Sequence, residues 1–159
     1  MFIEVTGKLR INLRAREWCM LPYPRHPNGC PEYGQREECP PQAPLITDFA
    51  DLQQPHFFAI VTFNLEEHMQ RMWSNHPEWS DAQARCVLYW QGTVRSLLTE
   101  HAEDFQWRNP GMVYTLIPEA MGVNVISTLQ NLHIPVELKP THIVHKVALL
   151  AYPRKKQNE

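Results

Sequence analysis

Cys19, Cys30 and Cys39 fall in one stretch, WCMLPYPRHPNGCPEYGQREECPP at residues 18–41, and the fourth cysteine, Cys86, stands well apart. Thiols gathered in this way can form a disulfide, supply a nucleophile or hold a metal. A catalytic thiolate needs a base and an orienting group, and no local signature pairs any of these cysteines with either. The gaps between them hold ten, eight and forty-six residues. None of the tight pairs that present two sulfurs to zinc from one turn is present, nor the close run of bacterial ferredoxins. Spacing alone is a weak signal.

The neighbours of the thiols say more. Cys30 and Cys39 are each followed by proline, in CPEYG and CPPQAP. A following proline biases the cysteine toward extended backbone and brings no amide donor of its own. The same Cys-Pro step closes a ferredoxin ligand run. Two such steps around EYGQREE, in a loop stiffened by further prolines, outline a preorganised thiolate cradle. A donor set of thiolates favours zinc or an iron–sulfur cluster over hard cations. The plainer alternative is three loop thiols with no partner. Cys86 also has two readings: a small core residue in line with Trp90 and Val94, or a fourth ligand presented from a rigid helix.

The histidines offer less. HIVH at 142–145 would be a possible chelate on a helix, but it reads as a strand, where alternation sends His142 and His145 to opposite faces. His26, inside the cysteine-rich loop, is a candidate ligand or neighbour of the thiols. His56, His68, His76, His101 and His133 are expected on surfaces or at helix ends. No Gly-rich phosphate loop or dinucleotide fingerprint occurs.

With 159 residues, 43% of them hydrophobic and 20% charged, the chain can bury an ordinary core. A net charge of -2 supplies no strong field, so neither nucleic acid nor an acidic membrane is an expected partner. Glu4, Lys8 and Arg10 interrupt the first residues before a signal core could form. No run approaches the ~20 apolar residues of a membrane span. These features predict a cytoplasmic protein with reduced thiols, a setting in which clustered cysteines bind metal more often than each other. One domain is expected over 1–153, with a solvated basic tail at 154–159.

The elements that would position the thiols follow from pattern. Residues 2–13, with Gly7 in the middle, predict a hairpin or bent strand. Eight of the fourteen prolines lie between Pro22 and Pro55, so regular structure should be scarce there. A loop that long needs something to hold it, and a metal would serve. HFFAIVTFNL at 56–65 predicts a buried strand and EEHMQRMWSNH a short helix ended by Pro77. Ser80 and Gln83 have capping-box spacing, and Cys86, Val87, Trp90, Val94, Leu97, Leu98, Ala102 and Phe105 form a stripe that predicts one helix over 80–105. MVYTLI at 112–117 predicts a strand. Pro118 then opens a helix burying Met121, Val125, Leu129 and Leu132, and HIVHKVALLAY at 142–152 predicts a central strand. The order implies an α/β or α+β fold: a small mixed sheet flanked by helices, with the proline-rich metal loop at 18–55 near its start.

GCPEYGQREECPPQAP also resembles the N-terminal signature of an uncharacterised family of predicted metal-binding, ferredoxin-like proteins of bacteria and archaea. There, a cysteine before a Tyr-Gly turn is followed by Cys-Pro-Pro, a strand and a helix. PEAMGVNV is similar to the family's C-terminal element. The resemblance covers residues 19–44 and, more loosely, 118–150. It implies Cys30 and Cys39 as ligands with Cys19 upstream. The family's second cysteine-rich stretch is missing, because no cysteine follows Cys86, so a second cluster and an electron-relay role are not implied.

The expected function is one [4Fe–4S] cluster held by Cys19, Cys30, Cys39 and Cys86, in a redox, sensing or structural role, covered by Trp18, Tyr23 and Tyr33. A redox partner protein would go with it. If Cys86 is core, three cysteines leave an open iron and the chain becomes an enzyme acting on a small molecule by desulfuration or dehydration. A structural zinc site in an interaction module is the third reading.

Overall fold

The structure, a computed structural model, describes residues 1–23 and 26–155. Four strands, β1 (Phe2–Glu4), β2 (His56–Asn64), β3 (Val113–Thr115) and β4 (Ile143–Ala151), form one sheet in the order β1-β2-β4-β3. The helices are α1 (Ile46–Phe49), α2 (Leu65–Asn75), α3 (Asp81–Ala84), α4 (Gln91–Arg108) and α5 (Val125–Asn131). The fold is α+β. Each strand pairing is antiparallel, so the mixed strand directions expected of the sheet do not occur among the described residues.

Both faces of the sheet are covered, which explains the nearly unbroken apolar runs of β2 and β4. Successive residues of a strand point to opposite faces. On one face Phe58 and Ile60 of β2 and Val147 and Leu149 of β4 pack with Ile46, Val125 and Leu129. On the other, Ala59, Val61, Ala148 and Leu150 pack with Leu65 and Met69 of α2 and Val94, Leu98 and Ala102 of α4. As expected, β4 lies inside the sheet, paired with β2 on one side and β3 on the other. β3 is short and reaches only Leu149–Ala151, so among the described residues no strand flanks 143–148 on that side.

Several expected elements are cut differently. Phe2–Glu4 makes no hairpin of its own but pairs with Phe57–Ala59, and Leu13–Met20 is a 3-10 helix. The helix expected over 80–105 keeps its capping box at Ser80 but stops at Ala84. Val87–Tyr89 forms a separate 3-10 turn whose three side chains are exposed, and α4 starts afresh at Gln91. The helix expected from Pro118 is likewise two pieces. A 3-10 turn over Pro118–Met121 ends at Gly122, whose φ of 92° is left-handed and favours glycine. Asn124 then caps α5 by accepting from Ser127 N.

His56 and His68 are buried, not at the surface. His56 sits at the start of β2, with Nδ1 2.9 Å from Gln54 O, and His68 stacks edgewise near Phe63. Of the expected basic tail, residues 156–159 lie outside the described residues. Arg154 is not free in solvent, since its Nη1 donates to Thr47 O at 2.7 Å. Among the described residues no helix is long and apolar enough to cross a membrane.

Candidate thiolate site

Cys19 lies near the end of the 3-10 helix Leu13–Met20, whose start is capped by the Asn12 side chain accepting from Arg14 N at 3.1 Å. The chain then returns, and Cys30 N donates to Cys19 O at 2.6 Å. This close passage depends on Gly29. Its φ is 82°, and a Cβ there would stand 2.4 Å from Cys19 O and 2.6 Å from Met20 backbone atoms. Only glycine fits.

Cys39 is brought back by a second set of contacts. Tyr33 N donates to Cys30 O (3.1 Å), Cys39 N to Arg36 O (3.0 Å) and Gly34 N to Pro40 O (2.8 Å). Gln42 Nε2 donates to Gly34 O at 2.8 Å, and Arg36 pairs with Glu32 at 2.6 Å. The anchor of the whole arrangement is Arg16. Its guanidinium donates to Ala120 O (3.0 Å), Pro41 O (2.9 Å) and Ala43 O (2.7 Å). One rigid fork thus ties the 3-10 helix, the Cys-Pro-Pro turn and the Pro118–Met121 turn together. The long loop does have something that holds it, and it is a side chain.

Cys19 and Cys39 each feel the charge of Cys30. Burial pushes the Cys19 thiol up from its ordinary pKa, and negative charge on Cys30, Cys39 and Glu119 pushes it further. Cys39 is raised by burial and by Cys30, with Arg36 pulling the other way. Left alone, such thiols hold their protons, which counts against a nucleophilic thiolate. Ionising them together takes a nearby positive charge of the kind a metal centre provides.

Thiols are the donor type that a thiophilic metal group takes. Around a tetrahedral zinc with bonds of ≈ 2.3 Å, sulfurs must close to within roughly 4 Å of each other. Among the described residues no group of three or more His, Cys, Asp or Glu is gathered tightly enough for one metal ion. A polynuclear cluster distributes its ligands over several metal atoms and asks less of them. The thiols of Cys19, Cys30 and Cys39 would be its holders.

Cys86 is placed elsewhere. It caps the Val87–Tyr89 turn between Ala84 and Trp90, both buried in the core on the α4 face of the sheet. Cys19 instead neighbours the Pro118–Met121 turn, whose Met121 belongs to the opposite core. Cys86 is not among the charges that act on Cys19 or Cys39. Nor is it a residue of a helical stripe, because the helix is broken at that point.

His26 pairs with Tyr23 through two backbone hydrogen bonds (2.8 and 3.1 Å) and a ring contact at 4.5 Å. Trp18 and Tyr23 remain 37% and 44% exposed, and Tyr33 is half-buried, so the expected aromatic cover is partial. His145 accepts or donates at Thr62 and Pro135, and His142 at Thr141 beside Glu137; no chelate joins them.

Two residues of the site escaped sequence reading. Arg16 sits in LRAREWC, close to Arg10 and Arg14, and nothing in that stretch marks one arginine as special. Glu119, in PEAMG, reads as an ordinary first-turn acid, yet its charge reaches Cys19 and burial pushes its carboxyl up. No family model, curated protein or solved structure matches the chain.

Proposed function

We propose that Cys19, Cys30 and Cys39 hold one [4Fe–4S] cluster, with Cys86 outside the ligand set. The observation that supports this reading is the return of Cys30 onto Cys19, its N–H donating to Cys19 O at 2.6 Å, in a loop fixed by Arg16 and Gly29. When bound through three thiolates, such a cluster supplies an iron with an open position, a Lewis acid for a small-molecule substrate. This favours the enzyme reading, of desulfuration or dehydration type, over an electron carrier whose irons are all thiolate-ligated.

The chain's own residues prepare the site. Arg16 and the Cys30 N–H fix the backbone, so the thiols need little rearrangement to bind. Anaerobic purification with counts of iron, acid-labile sulfide and zinc per chain tests the proposal. Brown protein with equal iron and sulfide is expected. Colourless protein carrying one zinc would replace the cluster with a structural zinc site, and protein with neither metal would end the metal reading.

A further inference from the structure

Two cavities, about 300 and 430 Å³, adjoin along the edge of the sheet where the chain leaves β3. They share Arg95, Leu116 and Ile117 and so form one groove. One end is lined by Lys146 and the first residues of α4, Gln91 and Gly92, with Leu98 beside them. The other end reaches Glu37 and Glu38 of the cysteine loop. The groove exists because β3 stops at Thr115 and leaves the β4 edge uncovered opposite α4.

Both cations are exposed at the groove, and Lys146 lies on the face of β4 that carries Val144, Ala148 and Leu150. Among the described residues neither Arg95 nor Lys146 belongs to an ion pair. Lys146 lies within electrostatic reach of Glu119. The amides that open α4 add partial positive charge at the same end, since no side chain caps that helix. Glu37 and Glu38 give the far end the opposite sign and would repel an anion from it. Polarity along the groove is thus fixed.

We infer that this groove binds a small organic anion, a carboxylate or phosphate head on a short apolar body, with the head between Arg95 and Lys146 and the body over Leu98, Leu116 and Ile117. The inference goes beyond the cluster reading and stands without it. Calorimetric titration of the full chain with phenyl phosphate, phenylacetate, inorganic phosphate and benzyl alcohol tests it, with metal content measured on every sample. Either aryl anion should bind more tightly than inorganic phosphate, and benzyl alcohol should not bind. Arg95→Gln and Lys146→Gln should each weaken the aryl anion about tenfold at unchanged metal content, while Lys8→Gln, remote from the groove, should leave it as it was. The inference is overturned if neither aryl anion binds at about 10 mM, if inorganic phosphate binds as tightly, or if Lys8→Gln weakens binding as much as the groove variants. Because metal content is read separately, loss of the cluster and loss of the anion site are distinguishable.

Discussion

Gly29 carries more of the candidate site than its size suggests. Its left-handed backbone and its contact with Cys19 O leave no room for a side chain. Gly29→Ala is expected to separate Cys19 from Cys30, cost about 2 kcal/mol through strain and the lost hydrogen bond, and reduce bound metal per chain; urea unfolding and metal analysis check both. A second residue-scale effect lies at Glu137. Its carboxylate accepts from the amides of Thr141 (2.6 Å), His142 (3.1 Å) and Ile143 (3.4 Å), which hold its pKa down to about 2. A depressed carboxyl contributes stability that is present above its ordinary value of 4.5 and lost as pH falls through about 2. The wild-type chain should therefore lose more stability between about pH 5 and 2 than Glu137→Gln, measured as urea midpoints across that range. Such contacts join residues far apart in the chain or set by loop geometry, so they leave no trace in composition. His56 and His68 illustrate the same point. Nothing in their local sequence announces burial, which comes from the strand and helix around them.

Among the elements, the proline-rich loop is held by Arg16, and a fork donating to three carbonyls is hard to replace. Arg16→Lys keeps the charge but offers a single rotating head. Both Arg16→Lys and Arg16→Gln should destabilise the chain by about 2 kcal/mol and raise exchange at the Ala43 amide, which donates to Cys39 O, about tenfold. If hydrogen exchange leaves that amide as protected as in wild type, Arg16 is not the anchor. The helices show where pattern reading holds and where it fails. α2 was legible as a short helix ended by Pro77, and the Ser80–Gln83 capping box was legible as a start. The break after Ala84 was not, because Val87, Leu88 and Tyr89 are all apolar and extend a stripe whether or not the backbone is helical. What decides it is tertiary: Trp90 turns inward, stacks on Phe63 at 4.7 Å and donates Nε1 to Arg85 O at 3.3 Å. The break at 122–124 did have a signal. Gly122 followed by Asn124 is a stop and a new cap, masked by the apolar spacing of Met121, Val125 and Leu129.

For the molecule as a whole, two cores share one sheet, and β2 and β4 serve both. Their apolar runs made them the most legible part of the chain, and the α+β class followed from the order of elements. The antiparallel order β1-β2-β4-β3 did not, since pairing partners are set by contacts across the chain. Leu149, fully buried on the α5 face, tests the shared core: Leu149→Ala should cost 2–5 kcal/mol by equilibrium unfolding. Cys86 lies beside the α4 core, between Ala84 and Trp90, and is not among the charges that act on Cys19 or Cys39. The measurement that bears most directly on the cluster is therefore a comparison of iron and sulfide per chain in anaerobically purified wild type, Cys86→Ala and Cys30→Ala. Equal iron and sulfide in the first two, with loss of both in Cys30→Ala, is the predicted result. Loss of the cluster in Cys86→Ala, or a wild type that never holds iron, would contradict the account.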